Sequence, residues 1–297
     1  APSSLPRFIE VPGDEGNMIT VDLEVEPDLE LLNDLARNPR NAYHLFTRRN
    51  PTVSQVLVLN NADSIHNSNF NPAHVTIAIA HGYTQSATST LNAVIRDAYL
   101  GAMEANVIIL DWSRISQMDY YSAINAIPSV GQGLGNLLSF ISSATGAPLN
   151  SMHLAGFSLG AHVVGNAGRT ANGQFARVTG LDPYSPIWLI NRNRLAPTDA
   201  QYVEAIHTSG NEGSHFFGNV DYFVNGGDSQ PGCLLSLCSH NRSWEVFAAT
   251  ITFNHLWGNQ CSTVTQIRSN TCAGSMLPLG DFDYFPSGGS SDPLALY

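Results

Sequence analysis

Residues 152–168 read MHLAGFSLGAHVVGNAG, and this stretch decides the fold. Met152 to Ala155 is a short apolar run of the kind that forms a buried strand, and Ala161 to Ala167 reads as a helix. Between them stands Gly156-Phe157-Ser158-Leu159-Gly160. Glycine at both ends permits a sharp strand-to-helix turn that larger side chains would crowd. Such a turn lifts the Ser158 hydroxyl above the sheet edge, at the N-terminus of the next helix. The plainer reading is a Gly-rich turn without chemistry. Residue type, spacing and flanks together favour a nucleophile elbow.

The same alternation runs through the flanking sequence. Val75 to Ala80 is apolar apart from Thr76, and Val107 to Leu110 is a further buried strand. Thr90 to Glu104 has helical spacing, and Ala123 to Ala144 sets Leu134, Leu137, Leu138 and Ile141 on one helix face. Val178 to Leu181, Val203 to Ile206 and Tyr222 to Val224 read as strands, and Trp244 to Phe253 as a last helix. Ahead of these, Ile19 to Val25, Tyr43 to Thr47 and Val56 to Leu59 read as strands, with Asp28 to Ala36 as a short helix. Asn60 to Pro72 is polar and reads as a loop. Strand–helix alternation implies a mostly parallel central sheet with helices on both faces, and with the elbow at Ser158 the expected fold is the α/β-hydrolase fold. No repeat or Pro-rich linker divides the chain, so residues 1–297 are expected to form one catalytic domain. The last 25 residues, with Gly288-Gly289 and Ser290-Ser291, read as a surface wrap.

Composition narrows the function. Hydrophobic residues make up 43% of the chain, enough for a sizeable core. Charged residues are 12%, against about 25% in a typical domain, and the net charge is −11. So acidic a chain lacks the basic stripe that nucleic-acid binding needs. No apolar run approaches the roughly 20 residues that span a bilayer, so a soluble chain is expected. All 13 basic residues are arginine. Arginine holds its charge above the lysine pKa of about 10.4. That fits compositional drift, or an alkaline, protease-rich digestive lumen such as an insect midgut.

Cys233, Cys238, Cys261 and Cys272 cluster late in the chain, without a CxxC. Their even number suits two disulfides better than a zinc site. Three pairings exist; we take the sequential one, Cys233–Cys238 and Cys261–Cys272. Disulfides imply an oxidising compartment. No leader stands ahead of Ala1, so a secreted chain would already have lost its signal peptide. Asn241-Arg242-Ser243 is a glycosylation sequon.

A serine nucleophile needs a base, and the base needs an orienting carboxylate, in the chain order Ser, acid, His. Asp182 follows the strand ending at Leu181, at a C-terminal strand end where site residues collect. Asp199, Asp221 and Asp228 compete with it. His207, His215 and His240 are candidate bases, and spacing favours His240 only slightly. An oxyanion needs two N–H donors. Leu159, directly after the nucleophile, supplies one. His81-Gly82-Tyr83, at the end of the strand Val75 to Ala80, supplies the other through the Tyr83 N–H. His81 itself reads as structural.

Over about residues 74–260 the chain resembles the animal pancreatic-lipase-type hydrolases. The resemblance rests on His81-Gly82-Tyr83, Leu110-Asp111-Trp112, Gly156 to Gly168, Thr179-Gly180-Leu181-Asp182-Pro183 and Ile206-His207-Thr208. It continues through Asn225-Gly226-Gly227, Pro231-Gly232-Cys233 and Cys238-Ser239-His240-Asn241-Arg242-Ser243. It implies Ser158, Asp182 and His240 as a catalytic triad, with Tyr83 and Leu159 as oxyanion donors and no cofactor.

Three departures shape the substrate expectation. Triglyceride lipases of this family carry a long disulfide-closed lid, whereas only Leu234, Leu235, Ser236 and Leu237 separate Cys233 from Cys238. The neighbouring loop, Ser209 to Gly218, is short as well. Both fit the phospholipase A1 branch. A chain of 297 residues leaves no room for the C-terminal β-sandwich of larger members, so no colipase partner is expected. Calcium-ligand positions of the family fall on Asn191 and Ala196, leaving only Asp199, so no metal is expected. The expectation is a secreted serine esterase acting on lipid acyl esters at an interface or micelle. Its rivals are a yolk-protein-like storage or lipid-binding protein and a peptidase or small-ester hydrolase.

Overall fold

The computed structural model describes residues 6–14, 17–26, 28–183, 191–210, 216–253 and 256–279. Along the chain stand β1 (Phe8–Pro12), β2 (Met18–Asp22), α1 (Leu29–Arg37), β3 (Ala42–Phe46), β4 (Gln55–Leu57) and α2 (Ala62–His66). Then come β5 (Val75–Ala80), α3 (Thr90–Ala102), β6 (Ala105–Asp111), α4 (Ser113–Ser116) and α5 (Tyr120–Thr145). They are followed by β7 (Met152–Phe157), α6 (Leu159–Thr170), β8 (Arg177–Leu181), β9 (Tyr202–His207) and β10 (Val220–Phe223). The series closes with α7 (Ser236–Phe253), β11 (Trp257–Asn259), α8 (Val264–Ser269) and β12 (Met276–Pro278).

Eight strands form the central sheet, in the order β10-β9-β8-β7-β5-β6-β3-β4. From β6 to β10 every pairing is parallel, and β3 and β4 close one side antiparallel. This is the mostly parallel sheet of an α/β-hydrolase fold. Side-chain alternation divides the core. Ala78 and Ala80 of β5, Ile108 and Leu110 of β6, and Leu154 of β7 face one side, under α5 and α6. Ile77, Ile79, Val107, Ile109, Ala155 and Phe157 face the other, under α3 and α7. β1 pairs with β2, and β11 with β12, as separate antiparallel hairpins. Both disulfides, Cys233–Cys238 and Cys261–Cys272, are formed. Among the described residues no helix is long and apolar enough to cross a membrane.

Three differences from the sequence expectation have local causes. Asn60 to Pro72 is not wholly a loop: Asn61 caps α2 by accepting from the Ser64 N–H at 3.3 Å, and Ile65 is buried. β1 was not foreseen. α7 begins at Ser236 rather than Trp244, because its first turns are polar and carry no apolar period. His215 and residues 280–297 of the C-terminal wrap lie outside the described residues, and the start of that wrap forms β12 (Met276–Pro278).

The turn between β7 and α6 is built by close approach. Neither Gly156 nor Gly160 has a positive φ. A Cβ on Gly160 would lie 2.3 Å from the Ala80 carbonyl oxygen, and one on Gly156 would lie 2.1 Å from the Gly160 oxygen. We therefore expect Gly160→Ala to destabilise the fold by about 3 kcal/mol or more, the upper end for overpacking. Chemical denaturation reads this; a variant within about 0.5 kcal/mol of wild type, the range of a neutral surface change, would refute the close approach.

Buried tyrosines set an alkaline limit. Burial pushes Tyr43 and Tyr83 up to about 12 and Tyr99 and Tyr202 higher still. An unfolded tyrosine ionises near about 10. The stability held in neutral buried hydroxyls is thus complete below pH ~10 and is lost as pH rises toward ~12. Arginine keeps its charge throughout. The melting temperature should stay level from about pH 7 to 9 and fall only above about 10; a fall below pH 9 in a thermal series would contradict this.

Candidate active site

Ser158 stands between β7 and α6 at φ 56° and ψ −121°, a conformation that costs a non-glycine residue about 1–3 kcal/mol. The neighbouring strands hold it there. Its N–H donates to the Leu181 carbonyl at 2.9 Å, and the next residue of that strand end, Asp182, donates its own N–H to Ile206 at 2.8 Å. Ser158 and Asp182 are thereby drawn to one edge of the sheet. Asp182 also has a positive φ of 43°.

The Asp182 carboxylate is buried and fully engaged. Oδ1 accepts the Thr208 N–H at 2.8 Å and the Ser209 N–H at 3.3 Å. Oδ2 accepts the Ser209 hydroxyl and His240 Nδ1, the latter at 2.6 Å. Burial pushes the carboxyl pKa up, but His240, Ser209 and Thr208 outweigh it and hold the group below the ordinary carboxylate range. Asp182 is therefore ionised at neutral pH. His240 lies in the second turn of α7, not in a loop before the helix. Its ring packs on Phe157, the residue before Ser158, with centroids 4.5 Å apart. Nδ1 of this ring is committed to Asp182.

The loop after β5 meets Ser158 from another side. A Cβ on Gly82 would come within 3.1 Å of Ser158 Cβ, so this backbone runs directly beside Ser158. Gln85 holds the loop by accepting the Gly82 N–H at 2.8 Å, and Thr84 donates its N–H to Ser116 at 2.8 Å. Among the described residues no acceptor takes the Tyr83 or Leu159 N–H.

Three of the rival residues, His207, Asp221 and Asp199, are occupied elsewhere. His207 Nε2 bonds Asp221 at 2.7 Å and stacks on Phe223, while Asp221 also accepts from Phe217 and Gly218. Asp199 is gripped by Arg169, whose Nε and Nη2 lie 3.0 and 2.9 Å from its oxygens. Among the described residues no three His, Cys, Asp or Glu side chains form a metal-holding group. Of the span between Cys233 and Cys238, Leu234 and Leu235 are exposed, while Ser236 opens α7 and Leu237 is buried. Half of the expected lid is thus the helix start. Ser243 of the sequon is buried in α7, with its hydroxyl donating to the His240 carbonyl at 2.9 Å. Sequence reasoning missed Ser209, Gln85 and the Phe157 platform. A serine in a turn and a glutamine after a glycine loop carry no signal until the fold brings them to the site.

Phospholipase A1 member A from Bos taurus is 37% identical over 228 residues, covering 72% of this chain and 49% of that protein. Lipase member H from Danio rerio is 32% identical over 244 residues, covering 77% and 53%. Pancreatic triacylglycerol lipase from Cavia porcellus is 32% identical over 279 residues, covering 82% and 59%. The chain thus spans about half the length of the curated relatives it matches. The Lipase family model matches residues 11–277, and with the elbow, the buried carboxylate and its histidine gathered at one sheet edge, the chain belongs to the Lipase family.

Proposed function

We propose that the protein is a serine carboxyl-ester hydrolase that cleaves acyl esters of phospholipids, galactolipids or glycerides. Ser158 is the nucleophile, His240 the base and Asp182 the orienting acid. One observation carries the reading: a buried, ionised Asp182 grips Nδ1 of a histidine whose ring lies on the residue next to Ser158. Ser158 Oγ attacks the ester carbonyl while His240 Nε2 takes its proton. The Tyr83 and Leu159 N–H groups receive the oxyanion, and Asp182 stabilises the imidazolium. His240 returns the proton to the leaving alcohol, and water then hydrolyses the acyl-enzyme by the same steps. Atoms balance with ester and water alone, and no cofactor enters.

The relatives named for phospholipase and triacylglycerol lipase activity support a lipid substrate. The short span carrying Leu234 and Leu235 favours a phospholipase A1-like substrate range and peripheral contact with a lipid surface, without colipase. Two disulfides support a secreted setting, and the arginine-only surface an alkaline digestive lumen. We read residues 1–297 as one catalytic domain. A storage role would leave the strained Ser158 and the four-bonded Asp182 without a purpose.

Ser158→Ala should lower hydrolysis of a short p-nitrophenyl ester by about 10⁶-fold, the scale of losing a triad nucleophile, with unchanged thermal unfolding. Turnover at wild-type level in that variant would overturn the reading. The lid argument gives a second expectation. The two loop residues ahead of α7 cannot form even one helical turn of about 3.6 residues. Activity should therefore rise smoothly as a soluble ester passes its solubility limit, and an abrupt jump there would count against an open site.

A further inference from the structure

The peptide bonds flanking Tyr83 are held one by one. Gly82 N–H goes to Gln85 Oε1 and Thr84 N–H to Ser116, each at 2.8 Å. The Thr84 hydroxyl donates to the Tyr83 carbonyl at 2.7 Å. Between these, His81 Nδ1 lies 3.0 Å from the Gly82 carbonyl oxygen. His81 is fully buried. Its Nε2 faces the Trp112 N–H at 3.2 Å and Asp111 Oδ1 at 3.5 Å. Trp112 returns a bond from Nε1 to the His81 carbonyl at 2.9 Å and stacks on the ring at 5.5 Å.

We propose that His81 is a positioning residue that locks the Gly82–Tyr83 peptide so that the Tyr83 N–H faces the reacting carbonyl. This rests on the hydrolase reading given above. No peptide bond among the described residues is cis, and in a trans peptide the C=O and N–H point opposite ways. Tying the Gly82 carbonyl to the imidazole therefore turns the Tyr83 N–H away from it. Gly82 lies against Ser158, so the freed face of that peptide belongs to the site. The proton on His81 follows from its partners. Trp112 N–H can only donate, so Nε2 accepts and Nδ1 carries the hydrogen. A flip of the peptide would break the His81 bond and point a carbonyl, not a donor, at the oxyanion.

Two substitutions separate this role from simple packing. An asparagine amide can reach the position of Nδ1, and a glutamine amide that of Nε2. The assay measures kcat and KM on a soluble p-nitrophenyl ester and affinity for a reversible alkylboronic acid, corrected for folded fraction by thermal unfolding. His81→Asn should keep kcat within about tenfold of wild type. His81→Gln should lower kcat about 100-fold at unchanged KM, the scale of one lost oxyanion donor, and weaken boronate binding by a similar factor. Equal effects in the two variants, or wild-type kcat in His81→Gln, would overturn the proposal. If both fail to fold, ¹⁵N-histidine labelling of the wild-type protein decides: a hydrogen on Nδ1 from pH 6 to 9 supports the lock, and a neutral ring with its hydrogen on Nε2 overturns it. A wild-type protein that neither turns over ester nor binds boronate removes the hydrolase reading and the lock with it. An active wild type with an unaffected His81→Gln removes the lock alone.

Discussion

The left-handed backbone of Ser158 is the constraint on which the site depends. A residue at φ 56° gives up about 1–3 kcal/mol and keeps that conformation only where its surroundings over-determine it. Here they do so three times. The Gly160 backbone presses against Ala80 and His81, Gly156 presses against Gly160, and the Ser158 N–H is held by Leu181. Two of these contacts tie the elbow to its neighbours on either side in the order β8-β7-β5, and the Gly156–Gly160 contact closes it on itself. The strands that force the serine into strain are therefore the ones whose ends carry Asp182 and Gly82. The strain at Ser158 and the placing of Asp182 and Gly82 beside it are consequences of one packing event.

Buried charge is handled differently at the two ends of the sheet. At the strand starts, Arg177 meets Glu204 at 2.5 and 3.1 Å, with Thr179, His153 and Tyr99 extending the network. Such a pair gains little over apolar packing, but removing one partner would cost about 3–5 kcal/mol. Its components have no route to substrate and serve the fold. At the strand ends, Asp182 has no arginine. It is neutralised by dipoles and by one histidine, so its charge remains available to an imidazolium. A guanidinium there would satisfy the carboxylate better and would compete for the oxygen that His240 needs.

The sequence carried the scaffold and the elbow because both are periodic or local. Val75 to Ala80 and Met152 to Ala155 are apolar since both faces of a central strand are covered, and the Gly156–Gly160 elbow is contiguous. What stayed hidden depends on contacts between distant segments. Ser209 acts through Asp182, 27 residues earlier, and Gln85 through a loop whose shape no pattern encodes. The choice among His207, His215 and His240 was open by spacing. Resemblance pointed to His240; the structure pairs His207 with Asp221, and His215 lies outside the described residues. The early start of α7 was invisible for a related reason. Ser239, Asn241 and Arg242 are polar, and no apolar stripe marks these turns as helix.

That early start changes how the base is held. A histidine on a loop would depend on the Cys233–Cys238 disulfide for its position. On the second turn of an 18-residue helix, His240 is placed instead by what that helix packs against. One turn further along the same face is Trp244, and then Phe247, both buried in the cluster that also contains Phe157 and Leu91. His240 is thus registered to the sheet by the same side chain, Phe157, that precedes Ser158. The disulfide is left to shape only Leu234 and Leu235 at the exposed tip. Within a few residues the chain thus passes from the exposed Leu234 and Leu235 to an imidazole fixed by the core.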